Sequence, residues 1–112
     1  MELWQKQAQF AQDVSKLLAF IVESGSFCSL GEAYRTPEQA AIYAKEGKGI
    51  KDSLHCKRLA LDLNLFDSKG TYLSDSKPYE TFGLYWEKLD SMNRWGGHFT
   101  RGDGNHFERK EI

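Results

Sequence analysis

One run of residues constrains this chain more than any other. In "SLHCKRLALDLNLF", residues 53–66, leucines fall at positions 59, 61, 63 and 65. A period of two marks a half-buried β-strand, whose successive side chains point to opposite faces. The other face of this strand carries Ala60, Asp62 and Asn64. An acid among apolar neighbours asks for a reason, and His55 stands seven residues upstream. On one straight strand the two cannot meet. Seven residues at about 3.3 Å each span about 23 Å, and odd spacing puts them on opposite faces. They come together only if the chain turns between Cys56 and Leu59, folding His55 back over the start of the strand. The spacing permits a metal site without demanding one, and a solvated histidine with a surface aspartate is the plain alternative.

The rest of the chain supplies the frame. Phe10, Val14, Leu17, Leu18, Ile21 and Val22 recur at helical spacing and predict an amphipathic helix over 3–23, stopped by Gly25. "FCSLGEAYR" (27–35) is a short extended segment. "TPEQ" (36–39) predicts a helix start, with Thr36 as N-cap, Pro37 at the first position and Gln39 closing a capping box. That helix runs to about Lys45 and stops at the glycines of "EGKGI". "FDSKGTYL" (66–73) is a hairpin turn, and 77–93 a second amphipathic helix carrying Phe82, Trp86, Leu89 and Met92. "WGGHFTRGDGNHFERKEI" predicts a strand, a glycine-rich turn and a strand. The expected fold class is α+β, with helices packed on a small, mainly antiparallel sheet.

Size and charge exclude several classes. A chain of 112 residues predicts a single domain spanning 1–112. A net charge of −1 supplies no field for nucleic acid, and no apolar run reaches the length of a membrane span. "MELWQKQAQF" has an acid at position 2 and no apolar core, so no signal peptide is expected and synthesis is expected in a cytoplasm. Cys28 and Cys56 fit no paired-cysteine zinc spacing and are expected as free thiols, Cys28 in the core.

"GDGNHFE" adds Asp103 three residues before His106. Two imidazoles and one carboxylate leave a fourth tetrahedral position open for water, as in catalytic zinc sites, and a further carboxylate can take that water's proton. At this point four stretches converge. "SLHCKRLALDL" resembles the S-x-H-x(6)-D signature of the VanY-type zinc peptidases, the family of D-alanyl-D-alanine carboxypeptidases and L-alanyl-D-glutamate endopeptidases. "GEAYRTPEQ" is similar to its arginine-bearing segment, "DGNHFE" to its closing D-x-x-H-F-E, and "WGG" (95–97) fits as well. The phage endolysin branch is the most similar.

The resemblance implies one zinc per chain, held by His55, Asp62 and His106 at the sheet of a hedgehog/D-Ala-D-Ala peptidase-like fold. It implies Asp103 as general base, Arg35 near the reacting carbonyl, and Arg35, Ser53 and Gln39 as substrate contacts. The implied substrate is the bacterial peptidoglycan stem peptide, cut between L-Ala and D-Glu by a monomer that reaches the wall through a holin, with no nucleic acid and no stable membrane insertion. D-Ala-D-Ala carboxypeptidase or dipeptidase activity is the alternative, and a non-catalytic phage wall-binding module of the same fold is another. Arg58 departs from the pattern, because many relatives have Gly there, and the expectation is a turn of another shape. Glu108 shares the strand face of His106 and is a candidate to orient it, whereas His98 is expected outside the ligand set.

Overall fold

The structure, a computed structural model, describes residues 1–50 and 52–112. Helix α1 covers Leu3–Glu23 and ends where Gly25 takes a left-handed φ of 79°. Its inward residues are Phe10, Leu17 and Ile21, together with Asp13, while Val22 is 69% exposed and lies off the packed face. Strand β1 (Phe27–Leu30) leads to helix α2 (Pro37–Lys45). Thr36 caps α2, its side chain accepting the Gln39 N–H at 3.1 Å, but no Gln39 side-chain bond completes the box.

Strand β2 is Ala60–Phe66. Its leucines alternate into the core as their spacing predicts, and Leu63 and the preceding Leu59 are fully buried. Burying each such side chain is worth about 1.5–3 kcal/mol. Asp67 closes the following turn by accepting the Lys69 and Thr71 N–H groups at 2.8 and 2.9 Å. A 3-10 turn (Lys77–Tyr79) then starts α3, which covers Glu80–Leu89. The helix expected to reach residue 93 stops here: Asp90 is extended and its side chain accepts the Met92 N–H at 2.8 Å. Such local side-chain bonding competes with helix continuation. Met92 therefore lies beyond α3.

Strand β3 is Asn93–Trp95 and β4 is His106–Arg109. Between them the expected simple hairpin is replaced by a 3-10 turn at Gly96–His98 and a loop over 99–105. The described strands form one antiparallel sheet in the order β1-β2-β4-β3. Helices α1 and α3 cover one face, where Trp86, Phe107 and Phe10 meet edge to face with ring centroids 5.5–6.2 Å apart. The opposite face presents Asp62, His106 and Glu108. In register, Asp62 stands opposite His106 and Ala60 opposite Glu108.

The reversal before β2 is a 3-10 turn, Leu54–Lys57, ended by Arg58 in the left-handed region (φ 56°, ψ 38°). Contrary to the expected turn of another shape, position 58 takes the left-handed backbone that favours glycine, with an arginine in place. The left-handed backbone costs a side-chain-bearing residue about 1–2 kcal/mol. The Arg58 guanidinium lies over the Tyr34 ring at 4.1 Å, a contact worth about 0.5–1 kcal/mol that offsets part of that cost.

Candidate metal centre

The reversal brings His55 over β2. Ser53 Oγ accepts the His55 N–H at 3.2 Å and so caps the 3-10 turn that carries the ring. His55 Nδ1 donates to the Ala33 carbonyl at 3.1 Å, which leaves Nε2 facing Asp62 Oδ1 at 3.4 Å. From the neighbouring strand, His106 Nε2 meets Glu108 Oε1 at 2.8 Å, leaving Nδ1 facing the same Asp62 oxygen at 3.1 Å. Each histidine thus has its outer nitrogen fixed by a protein acceptor and its inner nitrogen turned to the shared Asp62 oxygen. An acceptor on the outer nitrogen is the usual second partner of a metal-bound histidine.

Whether these atoms suit a metal is decided by their spacing and charge. Two ligands at about 2 Å from a zinc ion lie about 3–3.5 Å apart. The two nitrogen-to-carboxylate distances fall in that range, and one ligand atom from each of His55, Asp62 and His106 lies within 4.8 Å of the others. Burial would raise the Asp62 carboxyl, yet hydrogen bonds with His106 and His55 hold its pKa down at about 2. Burial likewise disfavours the His106 cation, yet its bonds to Asp62 and Glu108 push its pKa up to about 9. The Asp62 shift leaves an ionised carboxylate between two imidazoles, a donor set of the kind that holds a divalent cation.

Asp103 shares a cleft of about 730 Å³ with the three candidate ligands, Arg35 and Ser53. Though exposed as a residue, its carboxyl is crowded at the cleft wall, and this desolvation lifts its pKa above the ordinary carboxylate value, against the pull of His106. Gly96 is what allows the Asp103 loop to close on β4, since a Cβ at position 96 would collide with the Asp103 carbonyl oxygen. Asp103 N–H also donates to the Gly96 carbonyl at 2.9 Å.

Arg35 lines the cleft with its guanidinium on Glu32 and over the Tyr43 ring. Gln39 lies on the first turn of α2 and is not part of the cleft wall. His98 stays outside the ligand group, its Nδ1 3.2 Å from Glu87. Cys56 also stays outside, its Sγ directed at the Thr36 carbonyl. Glu108 is buried between His106 and Arg94, and burial's upward push on its pKa is overcome by His106 first and Arg94 next. Sequence reasoning passed over Glu32, Arg94 and the Ala33 carbonyl. Nothing sets Glu32 apart among 16 acids, whereas Arg94 was legible only with the β3–β4 register that places it opposite Glu108.

The sequence model of the D-alanyl-D-alanine carboxypeptidases matches residues 46–109, a span that contains His55, Asp62, Asp103 and His106 but not Arg35. The structure of the Serratia marcescens L-Ala D-Glu endopeptidase ChiX is similar, with a TM-score of 0.64 and 20% identity over 76% of this chain and 68% of that one. At that identity the likeness is one of fold. No curated protein matches the chain in sequence.

Proposed function

The chain belongs to the D-alanyl-D-alanine carboxypeptidase family, and from that premise we propose a zinc-dependent peptidase that cuts the L-Ala–D-Glu bond of peptidoglycan stem peptides. The observation that carries this reading is the His55, Asp62 and His106 group with Asp103 on the same cleft. Held by those three side chains, zinc would supply Lewis acidity toward the scissile carbonyl and the attacking water. Asp103 takes the proton of that water and returns it to the leaving amine. Arg35 donates to the oxygen on which negative charge develops, and Ser53, while capping His55, keeps a hydroxyl proton for the substrate. Gln39, away from the cleft wall, is given no contact.

An internal cut is favoured over removal of a terminal residue by the length of the cleft. It extends from the ligands along β4 to Lys110, four residues past His106 and so about 13 Å away. Its volume of about 730 Å³ lies in the range of clefts that take up a small ligand. The endolysin role rests on the sequence resemblance to the phage branch, and a non-catalytic wall-binding role leaves the Asp103 placement without a purpose. Mass spectrometry of wall sacculi digested with the protein tests the reading. Peptides beginning with D-Glu, with L-Ala left on the glycan, are expected. Release of free D-Ala alone would replace the endopeptidase by a carboxypeptidase.

A further inference from the structure

We propose that Glu32 is a positioning residue that turns Arg35 from a carboxylate anchor into a donor for the transition state, an inference that rests on the peptidase reading above. Arg35 Nε donates to Glu32 Oε1 at 2.8 Å, and Nη2 donates to the same oxygen. One side of the guanidinium fork is therefore taken. Its Nη1 corner makes no hydrogen bond to a described residue and lies beside Gly49, which lines the cleft. The guanidinium plane is further held by the Tyr43 ring, 5.0 Å away.

The segment that carries this pair is fastened to the candidate ligands. Gly31 N–H donates to the Asp62 carbonyl at 2.8 Å, Asp62 N–H donates to the Glu32 carbonyl at 2.9 Å, and Arg35 N–H donates to the His55 carbonyl at 3.2 Å. The free corner of Arg35 is thus set relative to Asp62 and His55 by short, rigid links.

Charge decides what such an arginine can do. Paired with a carboxylate already, Arg35 gains little from a second carboxylate in the ground state. A preorganised donor still stabilises an oxygen whose charge grows during reaction. Interactions realised only in the transition state appear in kcat, and uniform binding appears in KM. Glu32 therefore governs kcat through Arg35, and the α-carboxylate of D-Glu is held elsewhere in the cleft.

Stem-peptide kinetics of Glu32→Ala, Glu32→Gln, Arg35→Ala and the Glu32→Ala/Arg35→Ala pair test this. Releasing the clamp in Glu32→Ala should lower kcat about 10-fold by misplacing the donor, with KM within about twofold and zinc content as in the parent. Glu32→Gln keeps an acceptor and should recover part of the loss. In the Arg35→Ala background Glu32→Ala should add nothing, the mark of a residue acting through another. A rise in KM at constant kcat, a full loss persisting without Arg35, or loss of zinc would each overturn the proposal. Wild-type kcat in Arg35→Ala would overturn it together with Arg35's role, yet leave the peptidase assignment standing. A parent protein that turns over no stem peptide would overturn both.

Discussion

The two faces of β2 lie a strand's thickness apart and obey different rules. On one, Leu61, Leu63 and Leu65, with Leu59 just before the strand, meet α1 and α3 in a core where shape and volume matter and chemical identity matters less. On the other, Asp62 faces His55 and His106 at 3.4 and 3.1 Å, and the identity of every atom counts. The core face fixes where the strand lies. The polar face then receives its histidines from two sources, one from the reversal at Leu54–Lys57 and one from the paired strand. Stability and chemistry are thus carried by alternate residues of the same seven-residue element.

Substitutions on each face should keep these roles apart. The largest effect is expected on the core side. Leu63→Ala should destabilise the protein by roughly 2–5 kcal/mol in chemical denaturation, while zinc per folded chain stays unchanged. Loss of zinc at temperatures where the variant remains folded would join the two faces into one unit. Next comes Asp103→Asn, expected to lower turnover by about 100-fold, the range for removing a general base, with zinc and denaturation midpoint unchanged. If this variant loses its zinc, Asp103 is a ligand.

A smaller effect sharpens the boundary between the faces. Glu108→Gln keeps the volume but weakens the charge-assisted bond to His106. Chelator competition should show zinc affinity reduced by about 10-fold, the low end of the range for such partners. Unaltered affinity would make Glu108 a structural partner of Arg94 alone. The smallest effect is at the reversal itself. Arg58→Gly relieves a left-handed residue, forfeits the contact with Tyr34 and loosens the unfolded chain, so a stability change within about 1 kcal/mol is expected. Disruption of the site by this change would show that the Tyr34 contact, and not the backbone, holds the turn.

What the sequence made legible follows the same division. The leucine alternation in β2, the α1 span and the Thr36 cap were readable because period and capping chemistry are local. The three candidate ligands were not readable from spacing alone, since His55 reaches Asp62 only through a turn whose left-handed residue is an arginine. They entered through family resemblance, and the structure brings them together. Asp13 could not be foreseen at all. It sits fully buried on the apolar face of α1, accepting from Gln9 and Asn93 at 3.1 Å each, and Asn93 arrives from 80 residues away. Glu32 was hidden for a similar reason: its bond to Arg35 depends on an irregular segment fastened to β2 by backbone contacts.

The polar face of the sheet is proposed as a zinc site built from His55, Asp62 and His106. It is tested most directly by the zinc content of the purified protein beside His106→Ala and His98→Ala, measured by elemental mass spectrometry after equilibration with zinc. One zinc per chain is expected in the parent and in His98→Ala, and almost none in His106→Ala. Zinc retained in His106→Ala but lost in His98→Ala, or a parent that hydrolyses stem peptides while binding no zinc, would contradict it.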